Sequence, residues 1–472
     1  MAKSSAAAEQ SEARGHSTVV DVARWVRGFD DNPVHGAALR QAKLLTLDVI
    51  GCGLAGRDEE VSRAILDVIE PTQGTKGCSV IGTNIRTNPE SATLANGVLI
   101  RVLDLNDYVI GGMQGGAQVG GHPSDNIPVA LAFGEWSGSS GKDVLSAMVI
   151  GYDVYGRFRE TMGKGSWDGV AVSGLAAPAM AGFLMGLDED QLAHALALSA
   201  ARAATSATVR NGDISGAKSI ANALVAQSGA LSARLAGQGV TGPLSVLDRK
   251  NGMHDVFAVS GHHAGLTAPL ADNCYIMKSH VKAYPCLATG QSAVAAAMQL
   301  HKQLGGKLDG IERIEVSMAD YPFLRHQQED PHRIHPESRE AADHSFNFLV
   351  AVTLIDGEFD LAQYDGERWA DPRVKALMAK MVMLVDKSWN DRAPASYPCT
   401  VRLIGPGGRD IKAEVPYPPG YSRNGMDQEA VIEKFHRTAA KALDQAARER
   451  VIKAVLALDQ GGSLAAVFAA LR

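Results

Sequence analysis

The sequence predicts a mainly α-helical protein, with a large all-helical domain and a smaller α+β domain. Two observations support this fold class. Ala, Leu, Val and Met recur at helical spacing over residues 17–265, where little of the chain resembles a strand. Beyond residue 273 the pattern changes, because the second half of residues 311–318 and residues 399–404 alternate apolar and polar side chains, as half-buried strands do.

The individual helices are predicted from apolar periodicity and from end signals. Asn32-Pro33 is a cap followed by proline, a common start of a helix, and residues 39–50 continue it as a strongly apolar stretch. Small residues that would let helices approach closely recur in three further segments, residues 171–187, 189–204 and 217–235. In the α+β part, helices are predicted at residues 291–304 and 346–356, and helical spacing returns after the Pro-Pro-Gly turn at residues 418–420.

These patterns divide the chain into four segments. Residues 1–17, rich in Ala, Ser and Glu, are predicted to form a disordered tail. Residues 18–270 form the first part of the helical domain, and residues 271–415 form the α+β domain. Residues 416–472 are C-terminal helices that we expect to pack back on the helical domain.

Composition bounds the class of function. With 472 residues, 46% of them hydrophobic, the chain can bury one large core or two smaller ones. A net charge of −6 and scattered Lys and Arg argue against a nucleic-acid partner. The apolar run at residues 170–187 carries Gly, Ser and Pro, which favours a buried helix over a membrane span. Five widely spaced cysteines without a Cys-x-x-Cys pair favour a reducing compartment, so we expect a soluble cytoplasmic protein that binds small molecules.

The densest group of chemically useful side chains lies at residues 101–108 and 121–126. Three acids, an Arg, a Tyr and a His converge there, and the intervening residues 111–121 form a glycine-rich loop without bulky side chains. A flexible loop with polar flanks suits a binding mouth. Asp and Asn are also ordinary turn residues, however, and His-Pro-Ser can simply start a helix, so spacing alone leaves catalysis and a structural role equally open.

Three local patterns are rejected as cofactor or metal sites. Residues 51–56 match the Gly-x-Gly-x-x-Gly fingerprint, but they continue a helix instead of following a strand, and the acids at 58–60 would repel a pyrophosphate. Residues 215–219 resemble a phosphate loop but lack its Gly-Lys pair. The His262-His263 pair and the histidines of residues 332–335 have no carboxylate at helical spacing. We therefore expect no cofactor and no metal.

Several phrases together resemble the MmgE/PrpD family, which includes 2-methylcitrate dehydratase, cis-aconitate decarboxylase and iminodisuccinate epimerase. They are Ala95-Asn-Gly97, Leu103-Asp-Leu-Asn-Asp107, Gly121-His-Pro-Ser-Asp-Asn126, Gly151-Tyr-Asp-Val-Tyr155, Gly216-Ala-Lys218, Val281-Lys-Ala-Tyr-Pro-Cys286, Gln291-Ser-Ala-Val294, Ala342-Asp-His-Ser-Phe-Asn-Phe348 and Leu354-Ile-Asp-Gly357. The resemblance covers nearly the whole chain. It implies a homodimer in which the α+β domain is a lid on the helical domain, with the active site in the cleft.

The resemblance also implies four catalytic residues. Asp104 matches the first acid of the family's Asp-Phe-Asp-Asp motif, His122 its His-Pro-Ser histidine, Lys218 a pocket lysine, and Lys282 the lysine before the Tyr-Pro step. Asp104 or His122 would take or return a proton next to a substrate carboxylate. The lysines would neutralise the developing charge and clamp a di- or tricarboxylate. Without the resemblance, the alternative is that Lys218 is a solvated helix residue and Lys282 a surface strand residue.

Five further residues are expected to bind the substrate, and three of them depart from the family pattern. Asp168 takes the place of a pocket histidine, Tyr108 stands where Thr is common, and Phe348 stands where some members have Tyr. Ser124 and Tyr152 belong to the matching phrases. A carboxylate cannot donate a proton at neutral pH unless its pKa is strongly raised, and a phenol narrows the pocket, so these departures predict altered chemistry.

The expected function is a cofactor-independent lyase of the dehydratase type, which removes a proton alpha to a carboxylate of a citrate-like hydroxy acid and expels hydroxide. The second hypothesis is an epimerase or isomerase of a dicarboxylate or imino-dicarboxylate, since returning the proton to the opposite face needs no acid for a leaving group. Decarboxylation of a cis-aconitate-like acid depends more directly on the replaced histidine. A non-catalytic relative would bind the same carboxylates without exchanging the proton.

Overall fold

The first half of the chain forms the helical domain. The computed structural model describes residues 17–31, 36–71, 77–114, 117–161, 167–210, 212, 214–253, 255, 265–270, 274–392, 396–421 and 426–472. The helices of this domain are α1 (Thr18–Arg27), α2 (Gly36–Gly56), α3 (Glu60–Val68), α4 (Pro89–Arg101), α5 (Ile127–Ser137), α6 (Gly141–Thr161), α7 (Ser173–Leu184), α8 (Glu189–Ala200) and α9 (Ala217–Gly237). Its strands are β1 (Cys78–Ser79), β2 (Arg86–Thr87), β3 (Tyr108–Gln114) and β4 (Ala117–Gly121). The segments predicted to be helical at residues 171–187, 189–204 and 217–235 correspond to α7, α8 and α9.

Helix α2 packs in the centre of this domain and is buried on nearly all faces. Its glycines allow close contact with its neighbours, because a Cβ atom at Gly56 would lie 2.3 Å from the carbonyl oxygen of Leu99 in α4. The Gly-x-Gly-x-x-Gly match at residues 51–56 therefore lies inside a packed helix. This confirms the prediction that the segment continues a helix instead of following a strand.

The second domain is an α+β unit built on a four-stranded sheet. It follows β5 (Ser279–His280) and contains α10 (Gln291–Leu304), β6 (Arg313–Met318), α11 (Pro322–Glu329), α12 (Pro331–Ile334), α13 (Arg339–Ala342), α14 (Phe346–Asp356), α15 (Pro372–Met378), β7 (Met381–Val385), β8 (Cys399–Gly405) and β9 (Arg409–Val415). The strand order is β7-β6-β8-β9, parallel only between β6 and β7. Helix α10 packs on β8 and β9, and α14 packs on α10.

The C-terminal helices return to the helical domain. They are α16 (Gln428–Ala439), α17 (Gln445–Leu456) and α18 (Leu464–Ala470). Phe435 and Val451 are buried in the same hydrophobic core as Leu47 of α2. Lys434 of α16 also forms a 2.6 Å ion pair with the buried Asp48 of α2. The first and last parts of the chain therefore share one core.

The glycine-rich segment between the two candidate site segments is a β-hairpin and not the expected loop. Strands β3 and β4 are antiparallel, with Val109 opposite Gly121. Strand β3 also pairs with β5, where Tyr108 lies opposite His280. Glycine is depleted in strands, which is why composition alone favoured a loop. The β3–β5 pairing brings the segment before β3, with Asp104, next to the segment after β5, with Lys282.

Three predictions from the sequence fall on residues outside the described part of the chain. They concern the N-terminal tail up to residue 16, the Asn32-Pro33 cap and the His262-His263 pair. Within the described part, no helix is both long and apolar enough to cross a membrane.

Candidate active site

A cavity of about 320 Å³ lies between the two domains, beside the end of α4 and the β3–β4 hairpin. The helical domain contributes Arg101, Asp104, Tyr108, His122, Asp125, Tyr155, Arg159, Asp168 and Arg210 to its lining. The second domain contributes Leu287, Ala288, His344 and Tyr397. This volume suits a small organic acid, and the polar lining suits a charged one.

Asp104 is the centre of a buried ion-pair cluster at one end of this cavity. Its backbone has φ 49°, in the left-handed region, and it turns the chain directly after α4. Its carboxylate pairs with the guanidinium of Arg101 and lies 2.6 Å from Nζ of Lys282 and 3.7 Å from Nζ of Lys218. Burial opposes ionisation, but the three cations hold the pKa of Asp104 well below its ordinary value. Asp104 is therefore ionised at neutral pH and is a poor proton acceptor.

Lys218 joins this cluster to the second domain. Its Nζ donates to both carboxylate oxygens of Asp343, at 2.9 and 2.8 Å. Burial lowers the pKa of both Lys218 and Lys282, while the neighbouring carboxylates raise it again. Both lysines lie directly beneath Asp104 and are at most 1% exposed. Their charges are consequently little screened by water.

His344, next to Asp343, brings an imidazole from the second domain to the cavity. Its Nδ1 contacts the Asp343 carboxylate, which can only accept, and also lies 3.2 Å from Nζ of Lys218, which can only donate. Its Nε2 lies 3.8 Å from the nearer oxygen of Asp104. Burial and the Lys218 charge lower the pKa of His344 to about 4. His344 is therefore neutral at neutral pH.

Asp104, Asp343 and His344 together have the ligand types of a metal site. However, Nζ of Lys218 lies 2.8 Å from the Asp343 carboxylate and 3.7 Å from that of Asp104. Arg101 and Lys282 pair with Asp104 as well. Lysine and arginine side chains already form ion pairs with the carboxylates of Asp104 and Asp343. The three residues therefore fit an ion-pair cluster better than a metal centre.

His122 presents a second imidazole to the cavity, from the helical domain. Its Nδ1 lies 2.6 Å from the carbonyl oxygen of Asp107, which can only accept, so Nδ1 carries the hydrogen and Nε2 is the free acceptor. Burial, aided by Arg101 and Lys282, lowers the pKa of His122 well below its ordinary value. The ring is thus held as the neutral tautomer that a general base requires.

A layer of polar residues supports His122 from behind. The carboxylate of Asp107 accepts a 2.8 Å hydrogen bond from the Tyr152 hydroxyl and another from Ser124. Burial raises the pKa of Asp107 to about 7 in spite of these two hydrogen bonds. Asn106 ties the layer to Ser124 with a 2.8 Å hydrogen bond. Tyr152 and Ser124 therefore contact Asp107, the residue that orients His122, and are not part of the cavity lining.

At the more exposed end of the cavity, Asp168 is paired with Arg210. Nε of Arg210 donates to Asp168 at 2.8 Å, and the other carboxylate oxygen accepts from the backbone N–H of Val170 at 3.0 Å. The guanidinium of Arg159 lies 5.5 Å from the ring centre of Trp167, and its Nε donates to the carbonyl oxygen of Gly120 at 3.2 Å. Arginine is therefore the dominant charged residue type at this end.

Two phenols complete the lining between the two ends. Tyr108 is 2% exposed, and within the described part of the chain its hydroxyl has no hydrogen-bond partner. Its ring lies 6.2 Å from that of Tyr397. Burial raises the pKa of Tyr108 well above its ordinary value, so the phenol keeps its proton and remains a hydrogen-bond donor.

The sequence-predicted residues fall into four places. Asp104, Tyr108, His122 and Asp168 line the cavity, Lys218 and Lys282 lie beneath Asp104, and Ser124 and Tyr152 lie behind His122. Phe348 is elsewhere: it is fully buried in the core of the second domain, against the rings of Tyr364 and Trp369.

The structure adds residues to which sequence reasoning assigned no role. They are Asp343, His344, Arg159, Arg210 and Tyr397. Two of them had a signal in the sequence, since Asp343 and His344 belong to one of the family-like phrases. Arg159 follows Tyr152 and Tyr155 at helical spacing in α6, which would place all three on one face.

Comparison with known proteins covers both domains. The family models of the MmgE/PrpD N-terminal domain and the MmgE/PrpD C-terminal domain match residues 20–264 and 284–460. The 2-methylcitrate dehydratase of Cupriavidus necator is 27% identical over 94% of this chain and 93% of its own. That of Salmonella typhimurium is 26% identical over 92% of both chains. A cis-aconitate decarboxylase-like protein, oryM, of Aspergillus oryzae is 24% identical over 96% of this chain and 97% of its own. Both matched regions contribute residues to the cavity.

Proposed function

Because the chain belongs to the MmgE/PrpD family, we propose that it is a cofactor-independent hydro-lyase of the 2-methylcitrate dehydratase type. It acts on a small citrate-like hydroxy acid with two or three carboxylates. The observation that carries this proposal is the fixed tautomer of His122, whose free Nε2 lies in a cavity lined with arginines and backed by two buried lysines. The relatives named as dehydratases support the reaction class.

In the proposed reaction, His122 is the general base. Its Nε2 takes the proton alpha to a substrate carboxylate, and the electron pair of the broken C–H bond becomes the new C=C bond. The charge that develops on that carboxylate is stabilised by Arg101 at the cavity wall and by the lysines beneath it. Asp104 is assigned the role of holding these cations in place, since it is too acidic to act as a base.

The leaving hydroxyl requires a hydrogen donor. Tyr108 is assigned this role, because its neutral hydroxyl is buried in the cavity wall and has no partner among the described residues. The C–O bond breaks as the phenol protonates the departing oxygen, which leaves as water. The proton gained by His122 is equal to the one that Tyr108 loses, so transfer through solvent restores both groups and no net proton is consumed.

One observation favours an epimerase or isomerase as the second candidate. Two neutral imidazoles, His122 and His344, line the same cavity from different domains. A base on each side of a carbon could remove a proton from one face and return it to the other. This reaction needs no leaving-group donor and would act on a dicarboxylate or imino-dicarboxylate.

Proton NMR in deuterated water tests both candidates with a panel of citrate, 2-methylcitrate, cis-aconitate, malate and an imino-dicarboxylate. Loss of the alpha-proton signal together with the signal of a new alkene, either a vinylic proton or a methyl group on the double bond, is expected for the hydro-lyase. Exchange with inverted configuration and no alkene would favour the epimerase. If none of these acids exchanges its proton although several raise the melting temperature, the protein binds carboxylates without this chemistry and both enzyme proposals fail.

A further inference from the structure

We propose that Arg159 and Arg210 form a second carboxylate-binding site at the exposed end of the cavity, and that Asp168 is the positioning residue that holds Arg210 there. This inference rests on the proposed function in one respect, namely that the ligand carries more than one carboxylate. It adds the residues that would select such a ligand over an acid with a single carboxylate.

The first observation is the placement of Arg159 at the cavity wall. Tyr152, Tyr155 and Arg159 follow one another at helical spacing in α6, and Tyr155 and Arg159 both line the cavity. Nε of Arg159 is held by the carbonyl oxygen of Gly120 at 3.2 Å, which orients the guanidinium. Within the described part of the chain no carboxylate lies at salt-bridge distance from Arg159. A half-buried, oriented arginine in this situation is suited to bind an anionic ligand.

The second observation is the rigid mounting of Arg210. Its Nε donates to Asp168 at 2.8 Å, and its side chain is 23% exposed. Asp168 is itself fixed twice, because its backbone N–H donates to Thr205 at 2.7 Å and its carboxylate accepts from Val170 at 3.0 Å. Bonding through Nε leaves the Nη atoms of a guanidinium as the donors of its other edge. Asp168 thus acts on the ligand through Arg210.

The third observation is that the two arginines lie close together. A Cβ atom on Gly169, the residue after Asp168, would lie 3.1 Å from Nε of Arg159. The charges of Arg159 and Arg210 also both act on the hydroxyl of Tyr155. Asp168 pairs with Arg210 and Asp125 pairs with Arg101, so among the described residues the guanidinium of Arg159 is the charge at this end that the second carboxylate of a ligand would neutralise. Where the family resemblance implies a histidine, this chain therefore has an anion-binding ion pair.

Binding measurements on the full-length protein test the proposal. Isothermal titration calorimetry with lactate, malate and citrate compares acids that carry one, two and three carboxylates. Arg159→Gln and Arg210→Gln should each lower the affinity for malate and citrate by roughly ten- to a hundredfold, as expected for the loss of a charged hydrogen bond. The affinity for lactate should stay within about twofold. Arg24→Gln, at a side chain that is 60% exposed on α1, is the matched control and should bind all three acids as the wild type does.

A double-mutant cycle tests the positioning role of Asp168. Asp168→Asn keeps an oxygen that can accept from Val170 but loses the charge that holds Arg210. We expect Asp168→Asn to lower the affinity for malate about as much as Arg210→Gln does. The double variant, Arg210→Gln with Asp168→Asn, should bind malate as tightly as Arg210→Gln alone. Additive losses would mean that Asp168 acts independently of Arg210 and would overturn its positioning role.

The proton-exchange experiment separates this inference from the proposed function. If the wild type exchanges the alpha-proton and both arginine variants keep its affinity for malate, the second carboxylate site is wrong and the proposed function stands. If malate binding depends on both arginines but no acid exchanges its proton, the site stands and the proposed function fails. A wild type that neither binds nor converts any of these acids contradicts both.

Discussion

The two ends of the cavity use similar charged residues in different surroundings. At the inner end, Arg101, Asp104, Lys218 and Lys282 are at most 2% exposed and are paired with one another. At the outer end, Arg210 is 23% exposed. Removing a partner from a fully buried cluster leaves an uncompensated charge in a low dielectric, whereas water relieves a partly exposed pair. We infer that the inner end governs both folding and chemistry, and that the outer end governs affinity.

The largest effect is expected from Lys282→Met. The variant removes the cation 2.6 Å from Asp104. We expect the turnover number to fall by at least about 10²-fold, as for the loss of an electrostatic stabiliser. The free energy of unfolding should fall by about 3–5 kcal/mol because a buried ion pair is broken. Alpha-proton exchange rates and urea denaturation measure the two effects separately.

Two controls sharpen this result. Lys412→Met removes an equivalent charge at a side chain that is 60% exposed, paired with Glu414, and should change stability by less than about 0.5 kcal/mol. Adding Asp104→Asn to Lys282→Met also removes the buried partner of Arg101, so the double variant should be less stable still and should not regain turnover. If Lys282→Met were as stable as Lys412→Met, the inner cluster would not be the coupled unit described above.

His122→Gln should abolish most of the chemistry with little effect on folding. Glutamine keeps a donor for the Asp107 carbonyl but has no basic nitrogen, so exchange should slow by about 10²- to 10⁴-fold. Exchange measured across pH also tests the depressed pKa of His122. A base with a pKa well below 6.5 is unprotonated throughout the neutral range, so the wild-type rate should be flat there and fall only in acid. A rate that halves near pH 6.5 would contradict this environment for His122.

The lowered pKa of His122 also predicts that the stability of the protein depends on pH. Because the folded pKa of His122 is lowered, the unfolded chain binds more protons below the ordinary value of 6.5. The wild type should therefore lose stability relative to His122→Gln as the pH falls below that value, and the two proteins should run parallel above it.

Asp107→Asn tests the polar layer behind His122. The pKa of Asp107 is raised instead of lowered, so its contribution to stability changes with pH in the opposite direction. Burial raises the folded pKa of Asp107 to about 7, so the folded protein keeps a proton that the unfolded chain releases near its ordinary pKa. Stability supplied by this group is present in acid and is lost as the pH rises towards 7. Relative to Asp107→Asn, the wild type should lose on the order of 4 kcal/mol between pH 4 and pH 7. Parallel unfolding curves across this range would mean that Asp107 is ionised in the folded state.

The accuracy of the sequence-based predictions also differs between regions. The helices predicted at residues 291–304 and 346–356 coincide with α10 and α14, because apolar periodicity and local caps encode a helix within a short segment. The β3–β4 hairpin was missed, since its glycines carry no strand signal and its pairing with β5 joins segments far apart in the chain.

The site shows the same limit more clearly. Asp104 and His122 lie in a dense local cluster that any inspection of the sequence finds. Lys218 and Asp343 are 125 residues apart, and no local pattern encodes their ion pair, so the lysine could be named only from the family resemblance. No sequence pattern pointed to Arg210, because its role depends on its ion pair with Asp168, which is 42 residues away in the chain.

The smallest effect on activity is expected from Phe348→Tyr, which adds the hydroxyl that some family members have. Phe348 is fully buried, and its ring lies 5.6 Å from that of Tyr364 and 6.3 Å from that of Trp369. A hydroxyl placed in this aromatic core should cost about 1–3 kcal/mol of stability if it finds no partner. Because the ring does not line the cavity, kcat and KM should stay within about twofold of the wild type. Phe346→Tyr, equally buried in the same core, is the matched control for stability. A change in KM at Phe348 alone, with both variants folded, would mean that the substrate reaches the aromatic core of the second domain and that the cavity ends do not by themselves determine affinity.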